Sequence, residues 1–125
     1  IRIPAARGQA TRVELRCPDP SCNPYLELAV CLAAGLDGIE RGLVPPEEIL
    51  DNIFVMSEEE RKEKGIDSLP GSLKEAVDLM LGDELIKKVL GEHITTHYSA
   101  GKYAEWDAYR TAVSDWEVKQ YLMMY

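Results

Sequence analysis

The chain has 125 residues, of which 46% are hydrophobic and 29% are charged, and these fractions are those of an ordinary soluble domain. Its formal net charge of −8 argues against a protein that binds nucleic acid through the backbone phosphates. The most apolar run, 23–36, contains Glu27 and is shorter than the ~20 residues that a membrane span requires, so we predict neither a nucleic-acid partner nor a membrane segment.

The charge is unevenly distributed along the chain. Residues 1–16 contain four arginines and one glutamate, which gives +3 and leaves −11 for the rest of the chain. A short basic segment on an acidic body is typical of a local site for anionic groups such as phosphates or carboxylates. Ion pairs between these arginines and acids elsewhere in the fold would explain the pattern equally well.

Strict alternation predicts a small β element at the beginning of the chain. Charged and apolar residues alternate over 12–16, so a strand here would carry three charged side chains on one face, those of Arg12, Glu14 and Arg16. Ile1 and Ile3 flank Arg2 in the same rhythm. The pattern therefore predicts two paired strands, although such a pair is only marginally stable without further strands.

Local signals predict where helices begin in the remaining region, 23–125. Asn23 can cap a helix whose first residue is Pro24, and the segment that follows is apolar nearly all round. A helix of this composition usually lies in the middle of a sizeable protein. Gly35 and Gly38 are predicted stopping points near its end.

Capping signals predict two more helices. Ser57 with Glu60 and Ser72 with Glu75 both have the spacing of a capping box. Further helical patterns cover 85–90 and 92–113.

The length of the chain permits one domain and leaves little room for two. The predicted fold class is therefore α+β, mainly helical, with a short β element at the N-terminus.

The Arg-x-Glu-x-Arg pattern at 12–16 is the most informative short feature. Its three charged side chains would lie roughly 7 Å apart along one strand face. A carboxylate between two guanidinium groups stays ionised and can ligate a hard cation such as magnesium or manganese. The arginines can hold phosphate or carboxylate groups through forked hydrogen bonds. A solvated ladder of salt bridges would have the same pattern.

Other residues that ligate metals show weaker patterns. His93 and His97 lie about one helical turn apart, a spacing that can chelate zinc or copper. No third ligand follows at a matching spacing, so an exposed helix face is the favoured interpretation. The cysteines Cys17, Cys22 and Cys31 form no CxxC pair, which favours reduced thiols in a cytosolic protein.

Taken in order, several segments resemble type I glutamine synthetase. They are Arg2-Ile3-Pro4, Arg12-Val13-Glu14-Leu15-Arg16, Pro18-Asp19-Pro20, Asn23-Pro24-Tyr25-Leu26, 33–39, 52–56 and Glu117 with Gln120-Tyr121. The ordered set spans essentially the whole chain and is far more specific than any one piece. The resemblance implies that 1–125 is the C-terminal fragment of the catalytic domain, with a β active-site segment over 1–20 and a helical region over 23–125.

The resemblance also implies a chemistry. In this family, ATP phosphorylates the γ-carboxylate of glutamate, and ammonia then displaces phosphate from γ-glutamyl phosphate. By position, Glu14 resembles a ligand of a divalent metal, Mg²⁺ or Mn²⁺, and Arg16 resembles the arginine that holds substrate glutamate. Arg2 resembles an arginine on the nucleotide phosphates, and Arg12 a second cation beside the transferred phosphoryl group. The implied assembly is a cytoplasmic homododecamer of two stacked hexameric rings.

Two departures qualify this resemblance. The family's other metal ligands and its ammonium-side glutamate belong to earlier sequence, so this chain alone is expected to be inactive. Phe54 occupies the place of a tyrosine that one branch of the family adenylylates. Together with the Arg7-Gly8 spacing, this resembles the feedback-inhibited branch typical of Gram-positive bacteria. The apolar tail, 121–125, either reaches into the opposite ring or folds on its own subunit.

Two alternatives to the ligase remain. The chain could belong to a non-catalytic assembly or regulatory domain that retains the fold, although a scaffold would have no need of the four charged residues near the N-terminus. It could also belong to a related ligase that acts on another amine or acid, because the residues that select the amine lie outside this chain.

Overall fold

A computed structural model describes residues 1–124 of the chain as a mainly helical structure. Two short 3₁₀ turns, Gly8–Ala10 and Ile53–Val55, interrupt the non-helical segments. The five α-helices in this part of the chain are α1 (Pro24–Glu40), α2 (Glu58–Glu63), α3 (Leu73–Gly82), α4 (Glu84–Thr111) and α5 (Asp115–Tyr121).

The predicted N-terminal β element, and with it the α+β class, is wrong. Residues 1–124 contain no strand, and the segment that was expected to pair forms a single antiparallel bridge between Arg2 and Glu14. The two backbone hydrogen bonds of this bridge measure 2.9 and 2.8 Å. A lone pair of extended segments gains too little to extend its ladder, so the rest of 1–20 forms no strand.

Helix α1 begins where the sequence predicts. The Asn23 side chain accepts hydrogen bonds from the backbone N–H groups of Tyr25 and Leu26, and Pro24 is the first helical residue. The helix passes through both predicted stopping glycines and ends at Glu40. Its actual stop is Gly42, which has a positive φ of 60°.

Gly42 ends α1 through a Schellman motif. Its N–H donates to the carbonyl of Ile39, and the N–H of Leu43 donates to the carbonyl of Gly38. This motif requires a left-handed residue just beyond the helix, a conformation that glycine adopts without strain. Gly35 and Gly38 do not have a positive φ, so neither ends the helix. A single glycine inside a helix costs only about 1 kcal/mol relative to alanine.

Side-chain caps also start α2 and α3. Ser57 and Glu60 form the complete predicted capping box. At α3, the Ser72 hydroxyl accepts from the N–H of Glu75, but the Glu75 carboxylate accepts from the N–H of Gly71 instead of that of Ser72. Both helix starts are confirmed, and in the second box the glutamate carboxylate accepts from the residue one position earlier than predicted.

Helices α1 and α3 both pack on α4. Gly91 interrupts α4 with φ 73° and ψ 164°, which corresponds to the predicted break between 85–90 and 92–113. Among the described residues, the buried set is small: Val77 of α3 is 3% exposed, and Thr95 and Ser99 of α4 are also buried. The packed interior thus lies along the seam between α3 and α4.

Truncating Val77 tests this seam. We expect Val77→Ala to weaken local packing by about 1–2 kcal/mol, since it removes two buried methyl groups. Amide hydrogen exchange in α3 should then become roughly tenfold faster, as read by mass spectrometry of the full-length protein. Leu79→Ala on the same helix is the control, because Leu79 is 58% exposed. Equal effects of the two changes would contradict the assignment of the seam.

One face of α1 is left uncovered by the rest of the described chain. Its large apolar side chains are Tyr25, Leu28, Leu32, Leu36 and Ile39, each at least half exposed. The spacing of these residues forms one continuous stripe along the helix. An exposed apolar stripe of this length marks an interaction surface, in agreement with the expectation that α1 lies inside a larger protein.

The end of the chain is also apolar and exposed. The Ser114 hydroxyl accepts from the N–H of Glu117 and opens α5 with a capping box. Leu122, Met123 and Met124 are exposed, whereas Tyr125 lies outside the described residues. Within residues 1–124, no helix is both long enough and apolar enough to cross a membrane.

Candidate functional site

Three arginines surround one carboxylate near the N-terminus. Arg2 donates to Oε2 of Glu14 at 3.1 Å. Arg12 contacts Oε1 through both Nε, at 3.0 Å, and Nη2, at 2.8 Å. Arg16 donates to Oε2 through Nη2 at 2.8 Å and through Nε at 3.1 Å. The structure therefore brings together all four residues that the sequence predicts for the site.

The local backbone explains this convergence. The bridge between Arg2 and Glu14 places two residues twelve positions apart in the chain beside each other. Gly8, with φ 68°, begins the 3₁₀ turn between them. Arg12 and Arg16 lie two residues before and after Glu14, so an extended backbone places their side chains on its side of the chain.

Arg7 stabilises the turn, although the sequence pointed to it only through the Arg7-Gly8 spacing and not as a site residue. Its Nη1 donates to the carbonyl oxygens of Pro4, at 2.8 Å, and Ala6, at 3.1 Å. This side chain therefore closes the loop before the 3₁₀ turn instead of joining the site. The sequence offers only a weak signal for it, an arginine directly before a glycine.

The site has an excess of positive charge. Three guanidinium groups face one carboxylate, so the formal sum of these four groups is +2. The Glu14 side chain is 20% exposed, whereas the arginines are at least half exposed. Their outer faces are thus accessible to anionic ligands. Guanidinium groups bind phosphate and carboxylate in forked geometry, so both ligand classes suit this surface.

The pKa of Glu14 is lowered from its ordinary value of 4.5, chiefly by the hydrogen bond from Arg2. Partial removal from water acts in the opposite direction, and the hydrogen bonds from Arg16 and Arg12 add to the lowering. The carboxylate therefore remains ionised in neutral and mildly acidic solution, which is the state in which it can accept from arginine or bind a cation.

This shift predicts the acid sensitivity of the site. Because the folded pKa lies below the unfolded one, the stabilisation is fully present above the ordinary pKa and is lost as the pH falls through the folded pKa. We expect the carboxyl carbon of Glu14 to titrate with a midpoint below 4.5 in NMR spectra. Arg2→Gln should move the midpoint upward. A wild-type midpoint at or above that ordinary value would contradict the geometry.

The residues of this chain fit a divalent metal only as part of a larger ligand set. A carboxylate oxygen is a suitable ligand for Mg²⁺ or Mn²⁺. However, both oxygens of Glu14 already accept from arginine, and no group of three potential ligands occurs among residues 1–124. A metal on Glu14 would displace one of these contacts and would take its other ligands from outside the chain.

The histidine pair is separate in sequence from this cluster. His93 and His97 are both exposed on α4, with ring centres 4.4 Å apart.

The cysteines are free thiols, and Sγ of Cys22 lies 3.0 Å from Oε2 of Glu27. This contact raises the pKa of the Cys22 thiol, which makes it a poor nucleophile.

Comparison with known proteins places the chain in a family. A family model described as "Glutamine synthetase, catalytic domain" matches residues 1–121. The glutamine synthetase of Clostridium saccharobutylicum is 63% identical over 125 residues, which is 100% of this chain and 28% of that relative. The glutamine synthetase of Methanocaldococcus jannaschii is 56% identical over 123 residues, 98% of this chain and 27% of the relative.

A third relative gives the same result. The glutamine synthetase of Thermus thermophilus is 54% identical over 125 residues, which is 100% of this chain and 28% of the relative. The chain thus spans little more than a quarter of the length of these relatives, and the part it matches is their C-terminal part. The resemblance found in the sequence is confirmed, and the chain belongs to the glutamine synthetase family.

Proposed function

We propose that the protein containing this chain is a glutamate–ammonia ligase, which joins ammonia to L-glutamate with ATP and releases L-glutamine, ADP and phosphate. The observation that carries this proposal is the enclosure of Glu14 by three guanidinium groups. Phosphoryl transfer depends on positioning and charge neutralisation, and this cluster supplies both. Family membership supports the choice of substrates.

The reaction that we propose has two steps. An oxygen of the glutamate γ-carboxylate attacks the γ-phosphorus of ATP, and the bond to the bridging oxygen breaks as ADP leaves. Ammonia then attacks the carbonyl carbon of γ-glutamyl phosphate, loses a proton, and expels inorganic phosphate. Negative charge accumulates on the transferred group in the first step, so neighbouring cations lower its barrier.

Each charged side chain of the cluster has a proposed role. Arg16 holds the carboxylate of substrate glutamate, Arg2 contacts the nucleotide phosphates, and Arg12 lies beside the transferred phosphoryl group. Glu14 would hold Mg²⁺ or Mn²⁺ together with ligands from the rest of the protein. When bound, the metal would neutralise phosphate charge and orient the γ-phosphoryl group.

The rest of the protein is proposed to complete this site. Glu14 is one carboxylate, whereas a divalent cation needs several oxygen ligands, and the chain covers 28% of a relative such as that of Clostridium saccharobutylicum. The uncovered apolar stripe of α1 is the surface that we expect the remaining catalytic domain to cover. The proposed unit is 1–125 as the C-terminal part of that domain, in a cytoplasmic homododecamer of two hexameric rings.

Glutamine formation tests the proposal. The full-length protein is supplied with glutamate, ATP, Mg²⁺ and ¹⁵N-ammonium, and the side-chain amide of glutamine is followed by NMR. We expect full-length protein to form labelled glutamine and the isolated chain to form none. A full-length protein that assembles but is inactive would favour the scaffold alternative. Incorporation of ¹⁵N into the amide of an acid other than glutamate would favour a related ligase. Turnover by the isolated chain would contradict the proposed division of the site.

Phe54 predicts an absence of control by adenylylation. The side chain is 94% exposed in the 3₁₀ turn Ile53–Val55, where an enzyme could reach it, but phenylalanine has no hydroxyl to accept AMP. Mass spectrometry after incubation with ATP and an adenylyltransferase should find no AMP on 50–60. The variant Phe54→Tyr supplies the hydroxyl at the same position and is the control. AMP on this segment of the wild-type protein would contradict the prediction.

A further inference from the structure

We propose that His93 and His97 form a binding site for a divalent transition-metal ion of the zinc, copper and nickel class. Both side chains are exposed on α4. Their ring centres lie 4.4 Å apart, and the ring planes make an angle of 67°. This site goes beyond the proposed ligase function and does not rest on it, since it uses neither the arginines nor the carboxylate of the N-terminal cluster.

The separation of the rings suits a chelate. An ion bound to one nitrogen of each imidazole at about 2.0–2.1 Å separates the ring centres by roughly 4.5–5 Å for angles of about 90–110° at the ion. The observed 4.4 Å lies just below this range, so the separation of the ring centres is compatible with a chelate. Gly91 is the only non-helical residue within α4, and the regular helix after it fixes the spacing.

The surroundings leave room for the other coordination positions. The next residues on this side of the helix are small: Thr96, Ala100 and Gly101. A methyl group placed on Gly101 would meet nothing within 4 Å. Side-chain hydrogen bonds of the adjacent turns are made by Ser99 and Lys102, and neither engages the two imidazoles. Water molecules, or a donor from another molecule, can therefore complete the coordination.

The ligand type selects the class of ion. Imidazole nitrogen prefers zinc, copper and nickel, whereas magnesium, calcium and manganese prefer oxygen. No third histidine, cysteine or acidic side chain joins the pair in the part of the chain that the structure describes. Two ligands hold an ion more weakly than the four of a structural zinc site, so the bound ion should exchange with solution.

The test uses the full-length protein, freed of transition metals with a chelator and then saturated with Mg²⁺. Ni²⁺ is titrated into the wild type, His97→Ala and the control Thr96→Ala, and binding is measured by calorimetry. We expect the wild type and Thr96→Ala to bind one more Ni²⁺ per chain than His97→Ala. Removal of one imidazole should weaken this site by roughly tenfold or more, because the second ligand is no longer held beside the first.

A second variant separates chelation from the mere presence of two histidines. His97→Ala combined with Ala100→His keeps two histidines on the same side of α4, but places them about 10 Å apart along the helix axis. We expect this variant to bind Ni²⁺ as weakly as His97→Ala. If His97→Ala, alone or combined with Ala100→His, bound Ni²⁺ as well as the wild type, the proposal would be overturned. The two histidines would then only be part of an exposed helix face.

Discussion

Replacing Glu14 by glutamine in the full-length protein is expected to lower kcat for glutamine formation by about 10²–10³-fold. Glutamine nearly matches the shape of glutamate, but it carries no charge to ligate a cation or to hold guanidinium groups together. In the wild type, Arg2, Arg12 and Arg16 all donate to this carboxylate at 3.1 Å or less. The substitution therefore leaves three facing positive charges without their common partner.

The measurement is kcat at saturating ATP, glutamate and ammonia, repeated with tenfold more Mg²⁺. Activity recovered by added Mg²⁺ would locate the loss in metal binding. Asp37→Asn is a matched control, since Asp37 of α1 pairs with Arg41 at 3.0 Å, away from the N-terminal cluster in sequence. We expect this control to stay within about twofold of wild type. A Glu14→Gln enzyme with more than a tenth of wild-type kcat would contradict the assigned role.

Replacing Arg16 by lysine is expected to raise KM for glutamate by about 10–100-fold, because lysine keeps the charge but loses the fork that holds a carboxylate. Arg16 already uses Nε and Nη2 together on one oxygen of Glu14, an arrangement of two donor nitrogens that the single ammonium nitrogen of lysine cannot reproduce. KM for ATP should change much less. Initial rates measured while each substrate is varied separate the two constants.

Two further lysine variants sharpen this test. Arg2→Lys should raise KM for ATP rather than KM for glutamate, since we propose that Arg2 contacts the nucleotide phosphates. Arg41→Lys changes an exposed arginine directly after α1 and should leave both constants unchanged. If Arg16→Lys raises KM for ATP and leaves KM for glutamate as it was, the assignments of Arg2 and Arg16 are reversed.

Local sequence signals predicted the helix starts because their causes are local. The caps at Asn23, Ser57 and Ser72 each satisfy backbone N–H groups within three residues. The end of α1 was harder to predict, since three glycines lie near it and only Gly42 has the positive φ of a Schellman stop. The identity of that glycine depends on the conformation of the chain beyond the helix, which composition does not determine.

The predicted β element, in contrast, depends on contacts that are not local in the sequence. Alternation over 12–16 correctly grouped Arg12, Glu14 and Arg16, because side-chain direction in an extended chain depends only on the backbone. Pairing depends on partner strands, and residues 1–124 supply one bridge, between Arg2 and Glu14. The pattern therefore predicted correctly which of these side chains lie together, and it predicted their secondary structure wrongly.

The roles within the site came from resemblance to a family and not from spacing. Geometry alone defines an ionised carboxylate among arginines that suits phosphate or carboxylate ligands. It does not distinguish which arginine meets glutamate and which meets ATP, because Arg2, Arg12 and Arg16 contact the same carboxylate. The contact of Arg7 with Pro4 depends on the turn between the two bridged residues, and the only signal for it in the sequence is the glycine that follows Arg7.

Transfer of ¹⁸O from glutamate to phosphate tests the central claim most directly. Full-length protein is given glutamate labelled with ¹⁸O in its γ-carboxylate, together with ATP, Mg²⁺ and ammonia. If the site transfers a phosphoryl group to that carboxylate, one labelled oxygen leaves with each inorganic phosphate as glutamine forms. Phosphate free of ¹⁸O, with ATP consumed at the same rate, would contradict a γ-glutamyl phosphate pathway at this site.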